Sequence, residues 1–306
     1  SWYDFENWPT QYDCWWGFLT LPNVCETNPS YQNYINGKDG IIRKWLSNHK
    51  KSGACGWRLD VADELPDEFL DSLRIAAKTE NPQAVILGEV WEDASNKSAY
   101  GVRRRYLLGH QLDSVMNYPF RNAILGFLTG ADPSEMMEII LDILENYPPQ
   151  VIRLLMNHIG THDTERVITV LAGEPVRKHG RKWQNMTHLT KQKYEIGLKK
   201  MRLASLMQYT LPGVPCIYYG DEAGLEGYKD PFNRFCYPWG KEQISLIDWY
   251  RQLGKIRTER SDIFSQGAFS PVAAENHYIS YLRQGKNREV FIALNADDKP
   301  YRIKLP

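Results

Sequence analysis

The sequence carries no net charge: 37 Lys and Arg stand against 37 Asp and Glu. That balance argues against a nucleic-acid binder, which shows a positive footprint. It equally argues against an acidic tail or a polybasic membrane-surface protein, so neither nucleic acid nor membrane is an expected partner. Long apolar runs are missing too, and none approaches the roughly 18 residues that read as a membrane span. The five cysteines, Cys14, Cys25, Cys55, Cys216 and Cys236, form no CxxC pair and no zinc spacing. An odd number of scattered thiols reads as reduced, with Cys55 and Cys216 expected to be buried in strands, and points to a cytoplasmic rather than a secreted location. No signal peptide opens the chain; Ser1-Trp2-Tyr3-Asp4 reads as the middle of a longer sequence. Neither GxGxxG nor GxxxxGK[ST] occurs, and internal repeats and low-complexity tracts are absent.

What is present is an ordinary globular balance of 42% apolar and 24% charged residues over 306 positions. That length fits about two domains, or one barrel-type domain with an addition. Ten Trp and 18 Tyr are many. Their faces either fill a core or offer surfaces on which sugar rings stack. Residues 1–36 hold Trp2, Tyr3, Phe5, Trp8, Tyr12, Trp15, Trp16 and Phe18 without helical or strand period. So long a structureless stretch is functional or lies at a fragment edge.

From Asp39 a regular rhythm sets in. Ile41, Ile42, Trp45 and Leu46 have helical spacing, and Phe69, Leu70, Leu73 and Ala77 mark a helix opened by Pro66. Ala54–Asp60, Ala84–Trp91, Leu112–Met116, Val151–Met156 and Val214–Tyr219 read as strands. Helices are expected near Phe120–Leu128, Pro133–Asn146, Glu165–Leu171, Thr190–Tyr209 and Leu246–Glu259, with a polar insert at Gly173–Thr187. After Gly267, Tyr278–Arg283, Glu289–Asn295 and Tyr301–Lys304 read as antiparallel strands. Strand and helix in alternation imply an α/β fold with a parallel sheet. An open doubly wound sheet would show a phosphate loop, and there is none. The alternative is a (β/α)8 TIM barrel, which carries its chemistry at the C-terminal ends of strands. Asp60, Glu89, Asp163 and Asp221-Glu222 close or follow strands in that manner. Five strand–helix units are legible, so the fold class read here is a partial (β/α)8 barrel over 1–266, followed by a small antiparallel β domain over 267–306.

Arg58 and Asp60 are two apart on one strand, hence on one face. An arginine beside a carboxylate favours its ionised form, which a nucleophile needs; the plainer reading is a strand-end Asp with a structural partner. Glu89 ends an apolar strand, where desolvation favours the protonated form that a general acid needs; the plainer reading is a terminal Glu paired with a loop cation. A tuned pair of carboxylates is what glycosidic cleavage requires. His158 and His162, four apart in Asn157-His158-Ile159-Gly160-Thr161-His162-Asp163, have metal-ligand spacing, but Gly160 and the position after a strand argue for a loop that binds sugar hydroxyls. Asp230 and Arg234 suit hydroxyl binding or a local salt bridge.

Together these segments resemble, in order and spacing, the signature regions of the α-amylase family of retaining glycoside hydrolases. The resemblance implies Asp60 as nucleophile, Glu89 as general acid/base and Asp163 as transition-state stabiliser. It implies Arg58, His162 and Trp91 as groups that orient the nucleophile or touch substrate. Asn117-Tyr118-Pro119-Phe120 and the aromatic opening are similar to the neopullulanases, cyclomaltodextrinases and maltogenic amylases, whose sugar contacts Asp230 and Arg234 match; Glu92 departs, since a histidine is frequent there. The family's first three strands, with their Asp-x-x-x-Asn-His motif, resemble nothing in residues 1–53, which implies a C-terminal portion of such an enzyme.

The activity implied is retaining hydrolysis of α-1,4-glucosidic bonds in maltooligosaccharides, cyclodextrins, pullulan or starch, with the carboxyls of Asp60 and Glu89 about 5–5.5 Å apart. The same residues would serve a 4-α-glucanotransferase, and an inactive or purely carbohydrate-binding derivative is the third reading. The partner implied is an α-glucan. No organic cofactor and no metal site in this chain are implied; the calcium of many relatives belongs to the missing region. An unclosed parallel sheet leaves edges that call for a second copy or the missing N-terminal segment.

Overall fold

The computed structural model describes residues 1–47, 51, 53–177 and 179–303. The chain groups into two compact units, Ser1–Val115 and Met116–Pro306.

The first unit opens with an antiparallel hairpin, β1 (Phe5–Asn7) and β2 (Gln11–Tyr12), then a single 3-10 turn at Trp15–Gly17. Helix α1 (Pro29–Asn36) begins where sequence chemistry favours it: Asn28 accepts from the Ser30 and Tyr31 N–H groups, and Pro29 pre-sets the first turn. The expectation of no periodic structure over 1–36 fails for this helix, because its register is carried by capping and not by an apolar stripe. α2 (Ile41–Leu46) buries Ile42 and Leu46.

Three parallel strands follow: β3 (Gly56–Leu59), β4 (Val85–Gly88) and, after them in sequence, β7 (Ser114–Val115). Leu59 pairs with Gly88, and Gly88 with Val115. A side chain at Gly88 would meet the Leu112 Cδ1 atom at 2.4 Å, so any larger residue immediately before Glu89 requires the Leu112 side chain to move. Between β3 and β4 runs α3 (Asp67–Glu80), with Phe69, Leu70, Leu73, Ala76 and Ala77 buried and Asp67 and Glu68 at its N-terminus. Between β4 and β7 lies a short hairpin, β5 (Ser98–Ala99) and β6 (Val102–Arg103). Asp113 ties helix to sheet, accepting from Arg74 Nη1 at 3.0 Å, Lys78 Nζ at 2.8 Å and the Ile86 N–H at 2.9 Å.

In the second unit Met116 forms a parallel bridge to Met156, and β8 (Met156–Asn157) pairs in parallel with β9 (Val214–Pro215). The helices α4 (Tyr118–Thr129), α5 (Pro133–Asn146), α6 (Pro149–Arg153), α7 (Val167–Ala172), α8 (Arg181–Met186) and α9 (Lys191–Thr210) occupy the chain around them. Asn117, Asp132 and Thr190 cap α4, α5 and α9 with their side chains. α10 (Ile244–Glu259) and α11 (Ser261–Phe264) lead into the antiparallel sheet β10 (Ala268–Glu275), β11 (Tyr278–Gln284) and β12 (Glu289–Asn295). Arg283 on β11 is almost fully buried and donates to the carbonyls of Thr210, Ile263, Phe264, Gly267 and Ala268.

Several elements differ from the sequence reading. The first half of the strand expected at Val151–Met156 is helix α6 and only Met156 is strand, because Pro149 opens a helical turn and a six-residue run interrupted by Arg153 carries no decisive period. Val214–Tyr219 pairs only over Val214–Pro215. The insert Gly173–Thr187 contains α8. The third strand of the last sheet is β10, whose alternation is broken by a bulge between Pro271 and Ala273. Tyr301–Ile303 are not strand, and Lys304 lies outside the described residues. Cys55 is exposed just before β3, and Cys216 is half-buried just after β9, so neither is a buried strand thiol. No described helix is long and apolar enough to cross a membrane.

Candidate active site

The eight residues singled out in the sequence fall into two clusters, one within each unit. In the first, β3 delivers Arg58 and then Asp60 at its C-terminal end, and β4 delivers Glu89 at its own. The period of the strand puts Arg58 and Asp60 on one face, as the spacing implied. The guanidinium of Arg58 donates through Nη1 to Asp60 Oδ1 and through Nη2 to Glu89 Oε2, the latter at 3.1 Å. Both carboxylates thus lie within the span of one planar fork.

Their surroundings differ. The Asp60 side chain is 74% exposed, whereas that of Glu89 is 5% exposed. Glu89 Oε2 also accepts from the Val61 N–H at 2.9 Å, and Oε1 from Trp91 Nε1 at 3.3 Å. The backbone repeats the link: the Glu89 N–H donates to the Leu59 carbonyl at 3.0 Å, and the Ala62 N–H to the Glu89 carbonyl at 3.2 Å. Val61 pays for this arrangement with φ +40°, a left-handed conformation that a β-branched residue rarely adopts.

In the second unit the loop after β8 presents His162 and Asp163. His162 Nε2 lies 3.1 Å from Asp163 Oδ2. Arg234 reaches Asp163 Oδ1 at 3.5 Å, Asp230 Oδ1 at 2.6 Å and the His162 carbonyl at 3.1 Å. Asp163, His162, Asp230 and Arg234 therefore form one half-exposed polar group. Thr161 and Thr164 shape the turn: Thr161 Oγ1 accepts from the Asp163 N–H at 3.2 Å, and Thr164 Oγ1 from the Thr161 N–H at 3.1 Å. His158 is buried beside the Met156 carbonyl and edge-on to Tyr118. It is a packed histidine, and the pairing of His158 with His162 as metal ligands finds no support. Among the described residues no group of three or more His, Cys, Asp and Glu is arranged to hold a metal ion.

Two contributors escaped the sequence reading. Asn233 is fully buried and its Nδ2 holds the carbonyls of His162 and Thr164 at 2.7 and 2.8 Å. It stands inside the segment Asp230–Arg234 that spacing had picked out, but its partners lie some seventy positions away. Asp221, seen in sequence only as a strand-end acid, is buried against Arg166 at 3.2 Å, and Arg166 lies over the rings of Tyr218 and Tyr219 at 4.2 and 4.6 Å. Burial pushes the Asp221 carboxyl up to about 7, with Arg166 opposing the shift. A side chain at Gly160 would meet Asp221 Oδ2 at 2.3 Å, so Asp221 packs directly under the loop that carries His162 and Asp163.

A family profile described as alpha amylase, catalytic domain, matches residues 1–263. The chain belongs to that family. It is 36% identical over 305 residues to an amylopullulanase of Thermoanaerobacter thermohydrosulfuricus, covering 93% of this chain and 19% of that protein. It is 33% identical over 289 residues to a cyclomaltodextrinase of Thermoanaerobacter pseudethanolicus, covering 93% of this chain and 44% of the relative. Among solved structures, a debranching enzyme of Nostoc punctiforme aligns with a TM-score of 0.78 at 28% identity over 96% of this chain and 60% of its own. A cyclomaltodextrinase aligns equally well, at 31% identity over 96% of this chain and 46% of its own. The chain thus spans less than half the length of these two curated relatives. The fold is of α-amylase type, with mixed helices and sheets and a small antiparallel sheet at the C-terminal end.

Proposed function

We propose that the protein to which this chain belongs hydrolyses α-1,4-glucosidic bonds of maltooligosaccharides, cyclodextrins, pullulan or starch with retention at the anomeric carbon. The observation that carries this reading is the Arg58 fork, which holds Asp60 and Glu89 side by side at the ends of adjacent parallel strands. Asp60, open to solvent, attacks the anomeric carbon while Glu89 gives its proton to the departing glycosidic oxygen. Glu89 then takes a proton from water, whose oxygen displaces Asp60 and releases the sugar with the original anomeric configuration. Asp163, steadied by His162 and Arg234, binds sugar hydroxyls and grips them more firmly as the ring flattens. Trp91, beside Glu89, offers an indole face to the sugar, and Asp230 with Arg234 holds a neighbouring ring.

In this reading residues 1–266 form the portion of a (β/α)8 barrel that contains its later strands, and 267–306 a separate β domain; the end of the family match near residue 263 supports that boundary. Open strand edges would be covered by a second copy or by a preceding segment; sedimentation is expected to show self-association of this chain, and a clean monomer without exposed apolar surface would contradict that part of the proposal. The hydrolase reading is tested by following maltoheptaose cleavage by proton NMR. We expect first-formed sugars in the α configuration and no cleavage by Asp60→Asn; first-formed β sugars, or cleavage that survives Asp60→Asn, overturn it. Products longer than the substrate would favour the glucanotransferase.

A further inference from the structure

The geometry points to Asn233 as a positioning residue for Asp163: its side-chain amide clamps the backbone on both sides of that acid. This rests on the reading of the chain as an α-glucan-active enzyme, in which Asp163 grips the flattening sugar ring, and it gives a role in that reaction to a residue shut off from solvent.

Three observations carry it. Asn233 is fully buried, whereas the Asp163 side chain stays partly exposed. Asn233 Nδ2 donates to the His162 carbonyl at 2.7 Å and to the Thr164 carbonyl at 2.8 Å. One bond holds the peptide unit that enters Asp163, and the other holds the carbonyl just beyond it. Both partners are acceptors, so only the NH2 end of the amide can face them. Among the described residues Asn233 Oδ1 meets no donor, so the hydrogen bonds of this side chain all go to the Asp163 turn.

Second, the clamp has no local substitute. The Thr164 carbonyl belongs to a buried residue, and among the described residues no backbone N–H reaches it. The bonds inside the turn, between Thr161 and Thr164 and from the Asp163 N–H to Thr161 Oγ1, are 3.1 Å or longer. They shape the turn without tying it to another segment.

Third, the segment that carries Asn233 is itself fixed. Asn233 lies in a single 3-10 turn, Phe232–Arg234. A side chain at Gly227 would run into the Phe232 carbonyl and come within 3.2 Å of the Asn233 Cα atom, so this turn rests directly on the Gly227 backbone. Gly227 accepts from the Arg166 N–H at 2.9 Å and donates to Thr169 Oγ1 at 2.9 Å. The turn is thereby referenced to the start of α7, a few residues beyond Asp163. It also carries Arg234, which bonds both Asp163 and Asp230. One turn thus sets the backbone of Asp163 and the guanidinium beside it, and a shift at Asn233 displaces the acid from the sugar.

The test uses Asn233→Leu, which fills similar space without a donor, and Asn233→Ser, which keeps one donor and adds no bulk should Leu prevent folding. Turnover of α-maltosyl fluoride is measured for each, alone and combined with Asp163→Asn. We expect Asn233→Leu to lower kcat roughly 10–10²-fold with far less change in KM, because Asp163 acts in the transition state, and Asn233→Ser to lose less. Combined with Asp163→Asn, the same substitutions should cost almost nothing further, because the group they position is already gone. A merely structural residue would cost the same in both backgrounds. Hydrogen exchange read by mass spectrometry should show residues 158–170 losing protection in the Asn233 variants. Parental kinetics, equal losses in the two backgrounds, or unchanged exchange over 158–170 overturns the role. Failure of the hydrolase reading is recognised separately, as absence of Asp60-dependent turnover by the parent, and the exchange result then still decides whether Asn233 holds the turn.

Discussion

Arg58 is bonded to both acids at once, so its loss acts on two groups together. Arg58→Ala should lower kcat on maltoheptaose about 10²-fold, with a smaller change in KM, because both carboxylates lose their common anchor. Arg58→Lys should not restore the rate, since an ammonium cannot fork to two carboxylates. Steady-state kinetics decide this, and near-parental activity of Arg58→Lys would refute the bridging role. Asp221 makes a second prediction. Its folded-state value of about 7 lies above the ordinary 3.8. Between those two pH values the folded chain keeps a proton that the unfolded chain releases, so stability from this group falls as pH rises through the interval. Urea midpoints at several pH values should show that Asp221→Asn flattens this slope; an unchanged slope would count against the assignment. At this scale the sequence was readable where partners are close: Arg58 and Asp60 are two apart, and one face of a strand suffices to pair them. It was unreadable where partners are remote, as with Asn233 and the carbonyls of His162 and Thr164.

At the scale of elements, helices declared themselves wherever a long apolar stripe meets a cap. Pro133–Asn146 coincides with α5 because Asp132, Pro133 and a buried face of Met136, Met137, Ile140 and Ile143 all agree. Val151–Met156 failed because its apolar run is too short to carry a period, and Pro149 decided the matter locally. β10 was missed because a bulge breaks its alternation. The join of α3 to the parallel sheet rests on Asp113. Burial alone would raise its carboxyl, but Lys78, the Ile86 N–H and Arg74 together hold it below its ordinary range. Its contribution is therefore present above the ordinary carboxylate value and lost as pH falls through the lowered one. Asp113→Ala should cost about 3 kcal/mol at neutral pH, because Arg74 and Lys78 lose a half-buried partner. Denaturant unfolding at pH 7 and pH 3 should show that cost shrinking in acid, and an equal cost at both would contradict the ion-pair explanation.

For the molecule as a whole, α/β alternation and a terminal antiparallel sheet were legible from periodicity. The division into Ser1–Val115 and Met116–Pro306 was not, since it depends on contacts that no local pattern records. Within the second unit Arg283 secures the last sheet to the C-terminal ends of α9 and α11 and to the residues just after α11. Arg283→Met would remove the donor that five carbonyls share, of which Ile263 keeps the Gly267 N–H, so amides of β10–β12 should lose hydrogen-exchange protection while those of α9 keep theirs; protection unchanged across β10–β12 would refute this anchoring. The central claim is that Asp60 and Glu89 act as nucleophile and acid/base. Its most direct test uses Glu89→Gln with α-maltosyl fluoride, whose leaving group needs no proton while the second step lacks its base. Peptide mass spectrometry should then find maltose bonded to Asp60. Fluoride release with Asp60 unmodified would contradict the claim.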